Sequence, residues 1–357
     1  MSFIFFIIPF FSEGKEIIHF TQLNKKIYIN NITINGEHIS GNFLIDTGSD
    51  VTIINSKIIQ VNRSANINKP VYSYYGKMNA YVIPTQLNLG SINFGSVDVY
   101  YVEGGYIFTE NCIVDDISGI IGRDILDKAH WKFDMKNKKL EVSNEKFETS
   151  SFLSVPIHRK GKYDKIFLKI KHNNKEEEVM LDTGSDVGIS IKKRHIFPDR
   201  VSVFGSQIDR IVEKNDSICI QGVSFLTNIL YSERLKPSIG IGFLSDFMWI
   251  LEKDGNYIHI LQQDKYQIKK NIQKYGFSVM ISQDKLIVSD VYINSIAYKN
   301  GVRVFDEILE INSISTTAPN CDLLNIIENE FLNEEMILKI KTNKIISLKK
   351  IYLNPKQ

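Results

Sequence analysis

Asp46-Thr47-Gly48-Ser49-Asp50-Val51 recurs unchanged as Asp182-Thr183-Gly184-Ser185-Asp186-Val187. Each copy follows an apolar run, Phe43-Leu44-Ile45 in one case and Val179-Met180-Leu181 in the other. Such a run reads as a buried strand, and Asp-Thr-Gly as the turn it feeds. One copy would be ordinary turn chemistry, because Asp and Gly both favour turns. Two copies in matching contexts drive a carboxylate to the end of a buried strand twice. Brought together, the two cannot both ionise cheaply, so the pair holds a single proton. The ionised member can then take a proton from a water that attacks a carbonyl. The protonated member can donate to the carbonyl oxygen. That is the chemistry of peptide hydrolysis, and it needs no metal, cofactor or covalent intermediate. The seven histidines are scattered, with no His-x-x-x-His pair.

These residues resemble the aspartic proteases, with retropepsin-like lobes and both Asp-Thr-Gly motifs on one chain. The resemblance covers roughly residues 24 to 262. It implies that Asp46 and Asp182 are the catalytic pair. Thr47 and Thr183 would cross-bond the two loops. Gly48 and Gly184 would permit their close approach and donate amides. Ser49 and Ser185 would bond the outer carboxylate oxygens. Asp50 and Asp186 receive no chemical role.

The elements that must position these turns are strands. Ile27-Tyr28-Ile29 and Ile32-Thr33-Ile34 flank Asn30-Asn31, and Asn35-Gly36 is a hairpin signal. Val71 to Met78 is aromatic-rich and reads as a hairpin tip, with Tyr75 and Gly76 matching the family's substrate-covering flap. Phe204 and Gly205 stand at the same place in the second half. Ser118-Gly119-Ile120-Ile121-Gly122 and Pro237-Ser238-Ile239-Gly240 resemble the family's closing loop, which braces the catalytic turn. Ile121, Gly122, Ile239 and Gly240 are its key residues, the glycines because backbones must approach closely.

The halves can be placed in register. Gly122 to Gly240 and Trp131 to Trp249 are both offsets of 118, whereas Asp46 to Asp182 is 136. This is a duplication at domain scale, and the 18 extra residues of the first half are expected in the loops around its flap. The second half departs from the first in two places. Ser238 stands for Ile120, where a polar group is expected to loosen the brace, and Gly242 stands for Asp124.

Beyond Asp264 a polar stretch leads to a third unit. Tyr275-Gly276-Phe277-Ser278, a short helix ending at Gly301, and Ile308-Leu309-Glu310-Ile311-Asn312 resemble a PDZ domain. The combination is similar to bacterial proteins that join an aspartyl protease to a PDZ domain. Tyr275, Gly276, Phe277 and Ser278 would then receive a peptide C-terminus by adding it as a strand. Asp322 to Asn329 would line the groove, and Ile337 to Tyr352 would form a closing hairpin. The expected fold is mainly β: two pseudo-symmetric acid-protease β-barrel lobes, residues 21–148 and 149–263, plus a small α+β PDZ-like domain, residues 264–357.

Composition narrows the classes further. The 357 residues are 43% hydrophobic and 24% charged, which is globular, and the net charge is +2. Basic residues are interspersed with acidic ones, so no nucleic-acid surface is indicated. Cys112, Cys219 and Cys321 lack metal-ligand spacing and read as small buried hydrophobes. Phe3 to Phe11 is apolar but lacks the flanks of a secretory signal. Residues 1–20 read as a degenerate leader, which would place the protein outside the cytoplasm. Expected partners are protein or peptide substrates and peptide C-termini, with the protein a monomer. The competing reading is a catalytically inactive protein that keeps the protease fold as a peptide-binding scaffold.

Overall fold

Asn35-Gly36 turns the first hairpin, with both residues at positive φ, 50° and 86°. It joins strands Lys26–Ile34 and Glu37–Ile45 with Ile34 opposite Glu37. Two left-handed central residues match the twist of the flanking strands, which is why Asn-Gly is favoured there. The first strand runs straight through Asn30-Asn31, where the ladder slips between Ile29 and Asn31. In the second half Asn173 and Asn174, also at positive φ, turn Lys165–His172 into Lys175–Asp182. The computed structural model describes residues 14–23, 26–59, 67–73, 76–102, 117–161, 164–185, 187–192, 200–203, 206–209, 212–232, 236–253, 255–263, 275–282, 285–291, 295–317, 319, 323, 326–327, 330–331, 333–342 and 344–349. Over these the fold is mainly β.

The halves meet strand against strand. His130–Asp134 pairs antiparallel with Phe247–Leu251, placing Trp131 opposite Leu251, Lys132 opposite Ile250 and Phe133 opposite Trp249. Shifting each residue by the 118 offset turns the first pair into the third and leaves the middle pair unchanged. A pseudo-two-fold axis therefore passes between Lys132 and Ile250. The Phe133 and Trp249 rings stack there with centroids 3.7 Å apart and planes 10° from parallel. Trp131, Phe133 and Trp249 are fully buried. Each large apolar side chain so buried contributes about 1.5–3 kcal/mol. One apolar core runs through both halves, from Phe20 to Ile260.

In each half the strand before Asp-Thr-Gly lies parallel to the closing strand. Ile45 is beside Ile121, and Leu181 is beside Ile239. Short helices Arg123–Leu126 and Ile241–Leu244 follow the closing strands. The extra residues of the first half lie mostly beyond the flap rather than around it. Strand Ile92–Val102 is followed by the closing strand at Ile117, whereas Val223–Ser232 is followed at Ser238.

A second, separate core spans Tyr275 to Leu348. It is built from the hairpin Phe277–Ser282 and Lys285–Val291, the helix Ile296–Lys299, and a four-stranded sheet ending in Glu335–Ile340 and Lys344–Lys349. Leu323, Ile326, Ile327 and Glu330 are helical. Of the expected leader at 1–20, residues 1–13 lie outside the described residues, as do Cys112 and Cys321, whereas Lys15–His19 is a strand paired with Lys139–Ser143 and Phe20 is buried in the core. Cys219 is half-buried in strand Val212–Ile220, less enclosed than expected of a core thiol.

Candidate active site

The two Asp-Thr-Gly turns are built alike. Ser49 N–H donates to the Asp46 carbonyl at 3.2 Å, and Ser185 N–H to the Asp182 carbonyl at 3.1 Å. Each turn is tied to its closing segment, by Arg123 N–H to the Ser49 carbonyl at 3.0 Å and by Ile241 N–H to the Ser185 carbonyl at 2.9 Å. Asp46 N–H also donates to the Ile121 carbonyl at 3.1 Å. No side chain fits where Gly122 passes Val51, because a Cβ there would lie 2.4 Å from the Val51 carbonyl oxygen. At Gly240 the equivalent atom would lie 2.5 Å from that of Val187.

The turns then grip each other across the axis. Thr47 N–H donates to Thr183 Oγ1 at 3.0 Å, and Thr183 N–H donates to Thr47 Oγ1 at 3.0 Å. Thr47 Oγ1 donates to the Leu181 carbonyl at 3.1 Å, and Thr183 Oγ1 to the Ile45 carbonyl at 2.8 Å. Both threonines are buried. A buried donor or acceptor left unpaired costs about 1–3 kcal/mol, so the four bonds hold one another in place. Replacing Thr47 by Val is expected to cost about 2 kcal/mol by that rule. The Thr47→Val, Thr183→Val double variant should lose less than the sum of the singles. Urea unfolding of the four proteins measures this, and strictly additive losses would contradict a coupled grip.

The grip sets both carboxylates between two glycines. A Cβ on Gly48 would lie 2.5 Å from Asp182 Oδ1 and 3.1 Å from Asp46 Oδ1. One on Gly184 would lie 2.6 Å from Asp46 Oδ2. Asp46 Oδ1 accepts the Gly48 amide at 2.8 Å and the Ser49 amide at 3.2 Å. Burial pushes the Asp182 carboxyl up to about 7, helped by the neighbouring Asp46 charge. Burial raises Asp46 as well, against the amides of Gly48 and Ser49. The proton belongs to the pair rather than to either residue.

Other expected positions differ. The Ser49 hydroxyl donates to the Val51 carbonyl at 2.8 Å, so it is the Ser49 amide, not the hydroxyl, that meets Asp46. Ser238 does not leave a loose polar group. Its hydroxyl meets that of Ser190 at 2.9 Å, and Ser190 Oγ donates to the Lys236 carbonyl at 2.7 Å. Gly76 pairs with Ser73 at the start of the long strand Gly76–Leu89. Ser206 pairs with Val203 in the second hairpin. Tyr75, Phe204 and Gly205 themselves lie outside the described residues.

In the C-terminal unit Tyr275 is a core residue. It is 1% exposed, and its hydroxyl donates to the Asn333 carbonyl at 2.7 Å. Its carbonyl accepts the Ala297 amide at 2.9 Å, so its side chain is not offered to a peptide. Gly276, at φ 81°, passes so close to Ser295 that a Cβ would lie 2.2 Å from that residue's own. Phe277 begins the strand, with its ring 5% exposed.

Three side chains beside the first turn were given no bonding role by the sequence. Asp124 accepts from Thr52 N–H at 2.9 Å and from Thr52 Oγ1 at 2.7 Å, and its burial raises its pKa. The buried Arg123 meets Asp50 at 3.1 Å and the Asp164 carbonyl. Lys165 reaches from the second half to the Gly48 carbonyl at 3.3 Å. A signal for the first was present. Thr52 and Asp124 become Gly188 and Gly242 together in the second half, as partners in one bond should.

No protein-family model matches the sequence, and a search of curated proteins finds no match.

Proposed function

We propose that the chain is an aspartic endopeptidase of two retropepsin-like lobes, with a C-terminal PDZ-like peptide-binding domain. The observation that carries this reading is the reciprocal Thr47–Thr183 bonding, which holds two carboxylates against each other's glycines. Nothing in an ordinary turn calls for two carboxylates to be gathered at such an electrostatic cost. In this reading a water sits between Asp46 and Asp182. The ionised member takes its proton as the oxygen attacks the scissile carbonyl, and the protonated member donates to the carbonyl oxygen. A proton then passes to the leaving amine as the C–N bond breaks. The hairpins built on Ile67–Ser73 with Gly76–Leu89 and on Arg200–Val203 with Ser206–Asp209 would cover the substrate. Backbone amides near Gly276 and Phe277 would take a peptide carboxylate.

Digestion of an unfolded protein across pH, with and without pepstatin, tests the reading. The active pair carries one proton. Cleavage should therefore fall as pH rises through about 7, where the second proton site empties. It should fall again in acid, where both carboxyls are protonated, and pepstatin should block it throughout. Cleavage that persists undiminished at pH 9, or in saturating pepstatin, would rule the mechanism out.

A further inference from the structure

Each lobe carries one lysine at the same register position near the catalytic pair. Tyr28 is opposite Leu44, and Phe167 is opposite Met180; those partners stand two residues before Asp46 and Asp182. Lys26 and Lys165 stand two residues before Tyr28 and Phe167. The fields of both lysines favour the ionised form of Asp182.

Lys165 crosses from its own lobe to the opposite catalytic turn. Its Nζ lies 3.3 Å from the Gly48 carbonyl oxygen and 3.8 Å from Asp50 Oδ1. An ammonium carries three donors, and neither contact is short. Its side chain is 29% exposed. Asp50 is shared between Lys165 and Arg123, and the acids of the helix Arg123–Leu126 and its end have other partners. Asp50 is met by Arg123 at 3.1 Å. Asp127 is met by both terminal nitrogens of Arg159 at 2.8 Å each. Asp124 is turned to Thr52. Asp164, next in sequence, is exposed. Gly48 lies against the Asp182 carboxylate, so a cation on its carbonyl stands close enough to act on that carboxylate through its field.

We propose that Lys165 makes this site select peptides carrying an acidic side chain beside the scissile bond. The inference rests on the protease reading. A substrate carboxylate placed over the Gly48 turn would meet the Lys165 ammonium, which has donor capacity to spare. A basic side chain there would meet a like charge.

The test is competitive cleavage of three peptides that differ only in one residue near the cut, Glu, Gln or Lys. The wild-type chain is expected to prefer Glu over Gln by about fivefold, the effect of one partly exposed ion pair. The preference should appear in KM and shrink with added salt. Lys165→Met should erase it, Lys165→Glu should reverse it towards the Lys peptide, and Lys165→Arg should keep it. If Lys165 only braces the two lobes, Lys165→Met slows all three peptides alike and leaves the ratio intact, which overturns the inference. A wild-type chain that cleaves peptides without regard to charge overturns the inference alone. One that cleaves none overturns the protease reading and this inference with it.

Discussion

Asp46→Asn is expected to lower peptide cleavage by about a thousandfold or more, the scale of a lost general base or acid, while the protein stays folded. The amide oxygen of Asn can still accept the Gly48 and Ser49 amides that now reach Asp46 Oδ1. What it cannot do is take a proton from water. The same variant should change stability in a particular direction. Burial and the Asp46 charge raise the Asp182 pKa to about 7, above its unfolded value. A carboxyl raised in this way contributes stability that is complete below the unfolded pKa and is lost as pH rises through 7. Removing the Asp46 charge removes the share of that loss that comes from the neighbouring carboxylate, while the larger share from burial stays. Asp46→Asn should therefore melt higher than the wild-type chain at pH 8, by something on the order of 2 kcal/mol, and the gap should close by pH 4. Thermal melts at the two pH values, run beside the cleavage assay, measure both effects. Retained cleavage would end the catalytic assignment. A lower melting point at pH 8 would mean that the carboxylates do not repel.

Gly122→Ala should be among the most damaging single methyls in residues 14–263. Its backbone is at φ −92° and ψ −175°, which any residue adopts, so conformation is not the obstacle. The obstacle is contact. A Cβ would meet three Val51 backbone atoms, the oxygen at 2.4 Å, the carbonyl carbon at 2.5 Å and the nitrogen at 3.0 Å. No side chain can swing away to make room. Overpacking of this kind costs about 3 kcal/mol, the upper end of its usual range. Because Val51 follows the catalytic turn, the displacement should also reach Asp46 and reduce cleavage. Denaturant midpoints and cleavage rates for Gly122→Ala and its counterpart Gly240→Ala, where Val187 stands in the same way, provide the check. A loss below about 1 kcal/mol would show that the closing loop yields and does not brace.

The parts of this arrangement that were legible in the sequence are those written locally. Asp-Thr-Gly after an apolar run, two apolar residues before a glycine, and the Asn-Gly turn each sit within a few residues, and duplication doubled every signal. The threonine grip could be anticipated only through the family resemblance, because its bonds join residues 136 apart. The Lys165 contact could not be anticipated from pattern at all. A lysine on a strand reads as solvent-facing, and only the meeting of the two halves brings it to Gly48. Tyr275 was misplaced for a related reason. Its neighbours suggested a peptide-binding loop, but its carbonyl and hydroxyl are both committed to the core of the unit. Ser238 of the second closing loop looked like a fault because a polar residue was seen without its partner. Ser190 supplies that partner from a strand 48 residues away.

Lys132 faces Ile250 on the pseudo-two-fold axis. Had the two halves been separate identical chains, whichever residue stood on that axis would have faced its own copy. A lysine there would have met a lysine, and an isoleucine would have met an isoleucine. Joining the halves removes that constraint of self-complementarity. Lys132 is then able to point towards Glu141, 3.5 Å away, while its opposite number is buried. The same freedom allows one half to keep Thr52 with Asp124 while the other has given up both for glycine. Covalent linkage thus lets matching positions on the two sides of the carboxylate pair carry different residues, a charged and hydrogen-bonded pair on one side and bare backbone on the other.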